Sequence, residues 1–217
     1  RRQDRLDKLK SELSEKVTVH CLNFDVRDKS SVAEAIDSLP SSFKKIDILV
    51  NNAGNAHGLD PIQNGSIEDW DAMIDINVKG LLYVTKSLVS GMIERGSGHI
   101  VNIGSIAGKE VYPNGNVYCA SKHAVDAINN GMRLDLLGTG VKVSQVCPGL
   151  VETEFSLVRF KGDEDKAEGV YQGFDALTAF DIADIIRFIV TRPAHVNIAD
   201  TIVFPSAQVA STLVAKN

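Results

Sequence analysis

His99-Ile-Val-Asn-Ile-Gly104-Ser105, then Tyr118-Cys-Ala-Ser-Lys122 inside a helical pattern, then Val141-Lys-Val-Ser-Gln-Val-Cys147-Pro148-Gly149, is the stretch that decides the fold. Its two apolar segments are short and end in turn residues, as buried strands do, and the pattern between them, near 116–137, has helical period. Strand, helix and strand in that order make a parallel pair with a helical crossover. The alternation continues outward. Helices are expected near residues 3–15, 29–39, 66–94 and 178–191, and strands at Val17 to Phe24, Ile46 to Val50 and 200–204. This is the pattern of an α/β chain with a doubly wound parallel sheet, whose ligands bind outside the carboxyl ends of the strands. Asp25, Asn51, Ser105 and Pro148 all fall at such ends.

Composition fits one domain. At 217 residues and 44% hydrophobic, the chain can bury one sizeable core, and no internal repeat is visible. A net charge of −5, with the charges scattered, leaves no basic footprint for nucleic acid. No apolar run approaches the ~18 residues of a membrane span, and the basic N-terminus adjoins no apolar signal core. Cys21, Cys119 and Cys147 are an odd set without metal-type spacing, which favours reduced thiols and a cytoplasmic setting. The His residues are dispersed, so no metal site is expected.

A Tyr and a Lys four apart on a helix share one face. A free phenol loses its proton near about pH 10, so an ammonium that favours the phenolate would let Tyr118 exchange protons at neutral pH. Ser105 follows a strand, where its hydroxyl would meet a substrate carbonyl or alkoxide. Alone, the pair is a weak signal: with 4 Tyr and 23 Lys plus Arg, a basic residue four places after some Tyr arises by accident roughly 0.4 times per chain. Its company is stronger. Asn51-Asn-Ala-Gly54 directly follows Ile46-Asp-Ile-Leu-Val50, Asn77 lies in the long helical pattern, Ser105 precedes Tyr118 by thirteen residues, and Pro148-Gly149 closes the next strand.

This ordered set resembles the short-chain dehydrogenase/reductase family from Arg1 to about Phe204. The stretches Ser105 to Lys122 and Pro148 to Val158 are similar to the family's NADP-dependent 3-hydroxy acid (serine-type) dehydrogenases. The resemblance implies a Rossmann-like sheet and a catalytic tetrad. In it Tyr118 exchanges the hydroxyl proton while hydride passes to or from nicotinamide, and Ser105 stabilises the reacting oxygen. Lys122 favours the phenolate and holds the nicotinamide ribose, and Asn77 anchors a proton-relaying water. It further implies NADP(H) held by Arg1 and Arg2 at the 2′-phosphate and by Asp25 and Val26 at adenine. Asn51, Ala53 and Gly54 would let the cofactor lie close to backbone, and Pro148, Gly149, Val151 and Thr153 would line the nicotinamide and pyrophosphate. Plainer readings stand beside these: Asp at a strand end and Pro-Gly are turn chemistry, and terminal Arg are solvated charges.

The implied substrates are 3-hydroxy acids such as serine or 3-hydroxypropionate. The alternatives are a reductase of other carbonyls and a non-catalytic nucleotide-binding or scaffold member. Residues 154–177 would cover the substrate, with Arg159 either clamping its carboxylate or serving as a surface charge. In 66–94 the apolar residues spread beyond one stripe, so this helix must be covered on two sides. The second cover is a thick monomer core or another subunit, as in family members that form dimers or tetramers through two long helices. The family also opens with a strand, a Gly-rich turn and a helix that hold the pyrophosphate, and no counterpart is found here. The first β-α-β unit is therefore expected to be missing, so that Val17 to Phe24 and Ile46 to Val50 flank a gap and this exact chain lacks independent activity.

Overall fold

The computed structural model describes residues 2–217 and realises the expected alternation from the second helix onward. Helix α1 spans Gln3–Ser14 and α2 spans Lys29–Asp37, the latter capped by Asp28, whose carboxylate accepts the Ser30 and Ser31 amides. Strand β1 (Ile48–Asn51) leads to α3 (Ile67–Ile74), capped by Ser66. Next come a wide π turn (Asp75–Gly80) and α4 (Leu81–Glu94), together a rod where the sequence predicts one helix. Strand β2 (Gly98–Ile103), helix α5 (Asn116–Asp135) and strand β3 (Val141–Pro148) then form the central crossover. Short helices α6 (Phe155–Arg159) and α7 (Glu164–Gly169) occupy the expected covering segment. Helix α8 (Ala179–Val190), opened by a Thr178/Asp181 capping box, and β4 (Asp200–Val203) complete the order.

The four strands lie in the order β1-β2-β3-β4 and all pair in parallel. Strand alternation sends Ile100, Val141 and Val143 to one face, against Met92 of α4 and Leu136 after α5. It sends Val101 and Val146 to the other, against Ile182 and Ile189 of α8. Helices thus cover both faces, and each fully buried Val or Ile contributes about 1.5–3 kcal/mol. A polar seam runs through the first face. Asn51 Nδ2 donates to Thr85 Oγ1 (2.9 Å) and Asn102 Oδ1 (2.9 Å), and Asn102 Nδ2 donates to Asn129 Oδ1 (3.0 Å). A buried amide left unmatched costs about 1–3 kcal/mol, so this seam holds the ends of β1 and β2 in one register against α4 and α5.

The expected strand at Val17 to Phe24 is corrected: these residues form no ladder, and Val17 is 58% exposed. An apolar, extended segment becomes a strand only where a neighbour supplies backbone partners, and among the described residues β1 pairs with β2 alone. Among the described residues no helix is long and apolar enough to cross a membrane.

Candidate active site

Strand β2 ends at Ile103, and after Gly104 the Ser105 hydroxyl accepts the Ala107 amide at 3.1 Å, capping a single 3-10 turn. Helix α5, starting a few residues later, sets Tyr118 and Lys122 one turn apart. Tyr118 is 8% exposed, packed among Ala56, Met73, Ala107 and Cys119, with the Phe155 ring tilted against it at 5.7 Å. Burial, and then neighbouring Tyr112, push its phenol above the ordinary value, while a hydrogen bond with Ser105 and the charge of Arg159 pull the other way. The side chain therefore rests as a neutral phenol, ready to donate a proton.

Lys122 is buried too, and burial draws its ammonium down to about 8. Its Nζ donates to the Ile103 carbonyl at 3.0 Å. Lys122 is thereby tied to the end of β2. One of its three donors is used there, and a Cβ on Gly54 would stand 3.7 Å from Nζ and 3.1 Å from Asn77 Oδ1. Bare backbone at Gly54 thus leaves room for a polyol beside a buried ammonium, a donor set and cradle that suit the ribose of a dinucleotide.

Asn77 sits in the π turn and is 2% exposed. Its Nδ2 donates to the Asn55 carbonyl (2.9 Å) and Ser121 Oγ (3.0 Å), and its Oδ1 accepts the Asn55 amide (2.9 Å). It thereby ties the segment after Gly54 to α5. Asn51, expected at the cofactor, turns its amide inward to the polar seam, whereas Ala53 and Gly54 are exposed on the loop. Asp25 pairs with Arg27 at 2.6 Å, and Val26 lies where a Cβ on Gly80 would strike it. Arg2 pairs with Glu154 at 3.1 Å, next to Thr153; Arg1 lies outside the described residues. Pro148 ends β3, Gly149 abuts Gln208 and Phe204, and Val151 bridges to Leu177.

Arg159, at the end of α6, donates from Nε to the Gly58 carbonyl (3.1 Å) and from Nη1 to Tyr112 Oη (3.1 Å). The Gly58 amide returns a bond to the Arg159 carbonyl at 2.9 Å, and Lys161 pairs with Asp69 at 2.8 Å. These contacts fasten the end of α6 beside a cleft lined by His57, Asp69, Trp70, Met73, Tyr118 and Arg159. Tyr112 and Phe155 escaped the sequence reading. Their only signal was an aromatic residue near Gly115 or Arg159, which by itself means nothing.

A family model described as short chain dehydrogenase matches residues 1–163. The NADP-dependent 3-hydroxy acid dehydrogenase YdfG of Escherichia coli (strain K12) is 49% identical over 209 residues, 96% of this chain and 84% of that protein. Sulfoacetaldehyde reductase 2 of Chromohalobacter salexigens is 46% identical, again over 209 residues, 96% of this chain and 83% of that one. Among solved structures, the closed form of serine dehydrogenase complexed with NADP+ superposes with a TM-score of 0.95 at 47% identity, covering 100% of this chain and 87% of the other. With the family match, the relatives near half identity, and buried Tyr118, Lys122 and Asn77 beside a half-buried Ser105, the chain belongs to the short-chain dehydrogenase family.

Proposed function

We propose that this chain is an NADP(H)-dependent oxidoreductase that interconverts a hydroxyl and a carbonyl on small 3-hydroxy acids such as serine or 3-hydroxypropionate. The observation that carries this reading is a buried phenol beside Ser105, one helix turn from a buried ammonium that faces the bare backbone of Gly54. The bound cofactor supplies or accepts the hydride. Tyr118 gives its proton to the carbonyl oxygen in reduction and, as the phenolate, takes the hydroxyl proton in oxidation, while Ser105 donates a hydrogen bond to the same oxygen. Lys122 holds the ribose hydroxyls and keeps positive charge near the phenol. Asn77 fixes the Asn55 backbone and relays the proton outward through water.

Around this centre, Asn51, Ala53 and Gly54 provide the backbone approach. Pro148, Gly149, Val151 and Thr153 follow the nicotinamide and pyrophosphate, Asp25 and Val26 take adenine, and Arg1 and Arg2 take the 2′-phosphate. Residues 154–177 cover the substrate, and Arg159 receives its carboxylate. A sulfonate head would meet the same charge, in keeping with relatives named sulfoacetaldehyde reductase. The long helices also offer an association surface for a dimer or tetramer: Leu82 and Ile93 on α4 and Leu134 on α5 are exposed. Three free cysteines suit the reducing cytoplasm.

The test is Tyr118→Phe with NADP+ and 3-hydroxypropionate, followed at the reduced-nicotinamide absorbance band. Loss of the acid/base group is expected to cut turnover by about a hundred- to ten-thousand-fold while cofactor binding persists. A variant that turns over at the parent rate would defeat the assignment.

A further inference from the structure

Arg159 carries three nitrogens, and the fold has engaged two of them. Nε is bound to the Gly58 carbonyl and Nη1 to Tyr112 Oη, each at 3.1 Å, while Nη2 is buried with no partner among the described residues. Two aromatic rings also flank the guanidinium, whose central carbon lies 5.6 Å from the Tyr112 ring centroid and 5.5 Å from that of Tyr118. A side chain that usually samples many rotamers is thus held in one, with a single donor nitrogen left over beside the reactive phenol. A buried donor without an acceptor is unfavourable, and an anion satisfies it.

What holds the guanidinium is Tyr112. Its hydroxyl accepts from Arg159, and its ring packs against the cluster that holds Tyr118 and Cys119 of α5. Its ring lies directly on Gly115, where any Cβ would overlap the ring atoms. Gly115 has a φ of −89°, open to every residue type, so the backbone does not require glycine there. The seat for the aromatic ring does.

We infer that Tyr112, seated on Gly115, is a positioning residue that preorganises Arg159 so that Nη2 alone meets the acid group of the substrate. This rests on the reading of Arg159 as the substrate clamp. It deepens that reading: the head group is held end-on by one nitrogen rather than by the two-pronged fork of a bidentate pair. End-on contact needs no planar acceptor, which admits carboxylate and sulfonate alike, and it leaves a neutral diol of the same length without its main anchor.

Trp70 lines the cleft and is the 1 tryptophan of the chain, so its fluorescence reports binding directly. Titration with 3-hydroxypropionate and with neutral 1,3-propanediol is compared in the parent, Tyr112→Phe, Gly115→Ala and Arg159→Gln, alongside steady-state kinetics with NADP+. Tyr112→Phe and Gly115→Ala are each expected to weaken the acid about tenfold, the scale of one charge-assisted hydrogen bond, to raise KM more than they lower kcat, and to leave the diol within about twofold. If Tyr112→Phe leaves the acid unchanged while Arg159→Gln weakens it, the positioning role falls and the clamp stands. Equal weakening of acid and diol in Tyr112→Phe also overturns the positioning role. An Arg159→Gln variant that binds the acid like the parent, or a parent with no saturable response to it, removes the clamp and this inference with it.

Discussion

Helix α1 with the extended residues 17–25, and the crossover from β2 through α5 to β3, both carry regular apolar spacing, yet they differ in what stands opposite. Helix α1 buries no residue, and Leu9 and Leu13 are 48% and 36% exposed. In the crossover, Ile100, Val101 and Val146 are fully buried, and Val143 is 1% exposed. Periodicity chooses a face, whereas burial requires a second surface to receive it. Ser105, Tyr118 and Lys122 all grow out of the half that has both, which is how a neutral phenol and a lowered ammonium come to be held in one place.

Three measurements test this contrast. Ile100→Ala, in the packed half, is expected to lower unfolding free energy by about 2–5 kcal/mol in chemical denaturation. A loss near zero would mean that the crossover is not where stability resides. Lys122 tests the electrostatic side: folded, it sits at about 8 against an ordinary 10.5, so the unfolded chain holds the proton more tightly between those values. For this group, stability is lowest below pH 8 and rises as pH climbs toward 10.5, by at most about 1.4 kcal/mol per pH unit. Lys122→Met should flatten that rise; an unchanged slope would show that the ammonium is hydrated. Leu9→Ala, on the open side, is expected to shift stability by less than about 0.5 kcal/mol, and a loss comparable to that of Ile100→Ala would erase the distinction between the two regions.

Legibility followed the same division. The strands at 46–50, 99–104, 141–147 and 200–204 appear within two residues of where the alternation puts them, because each finds a neighbour. Val17 to Phe24 looks the same on paper and finds none. Tyr118 and Lys122 were readable because four residues on a helix fix relative placement whatever surrounds them. The direction of a side chain is another matter: Asn51 follows its strand as expected, yet Thr85 and Asn102 draw its amide inward, and neither partner is near it in the chain. Tyr112 was unreadable for the same reason, since its meaning depends on Arg159, 47 residues on.

The π turn at Asp75–Gly80 carries a further consequence. Each residue advances an α-helix by about 100°, so one extra residue within a turn offsets the phase of everything after it. Met73 of α3 and Met92 of α4, on either side of that offset, reach two different buried clusters. Deleting a single residue there would turn α4 against α3 by about 100° and disturb the Asn77 bonds to the Asn55 backbone. A local irregularity thus sets the angular alignment of the whole rod.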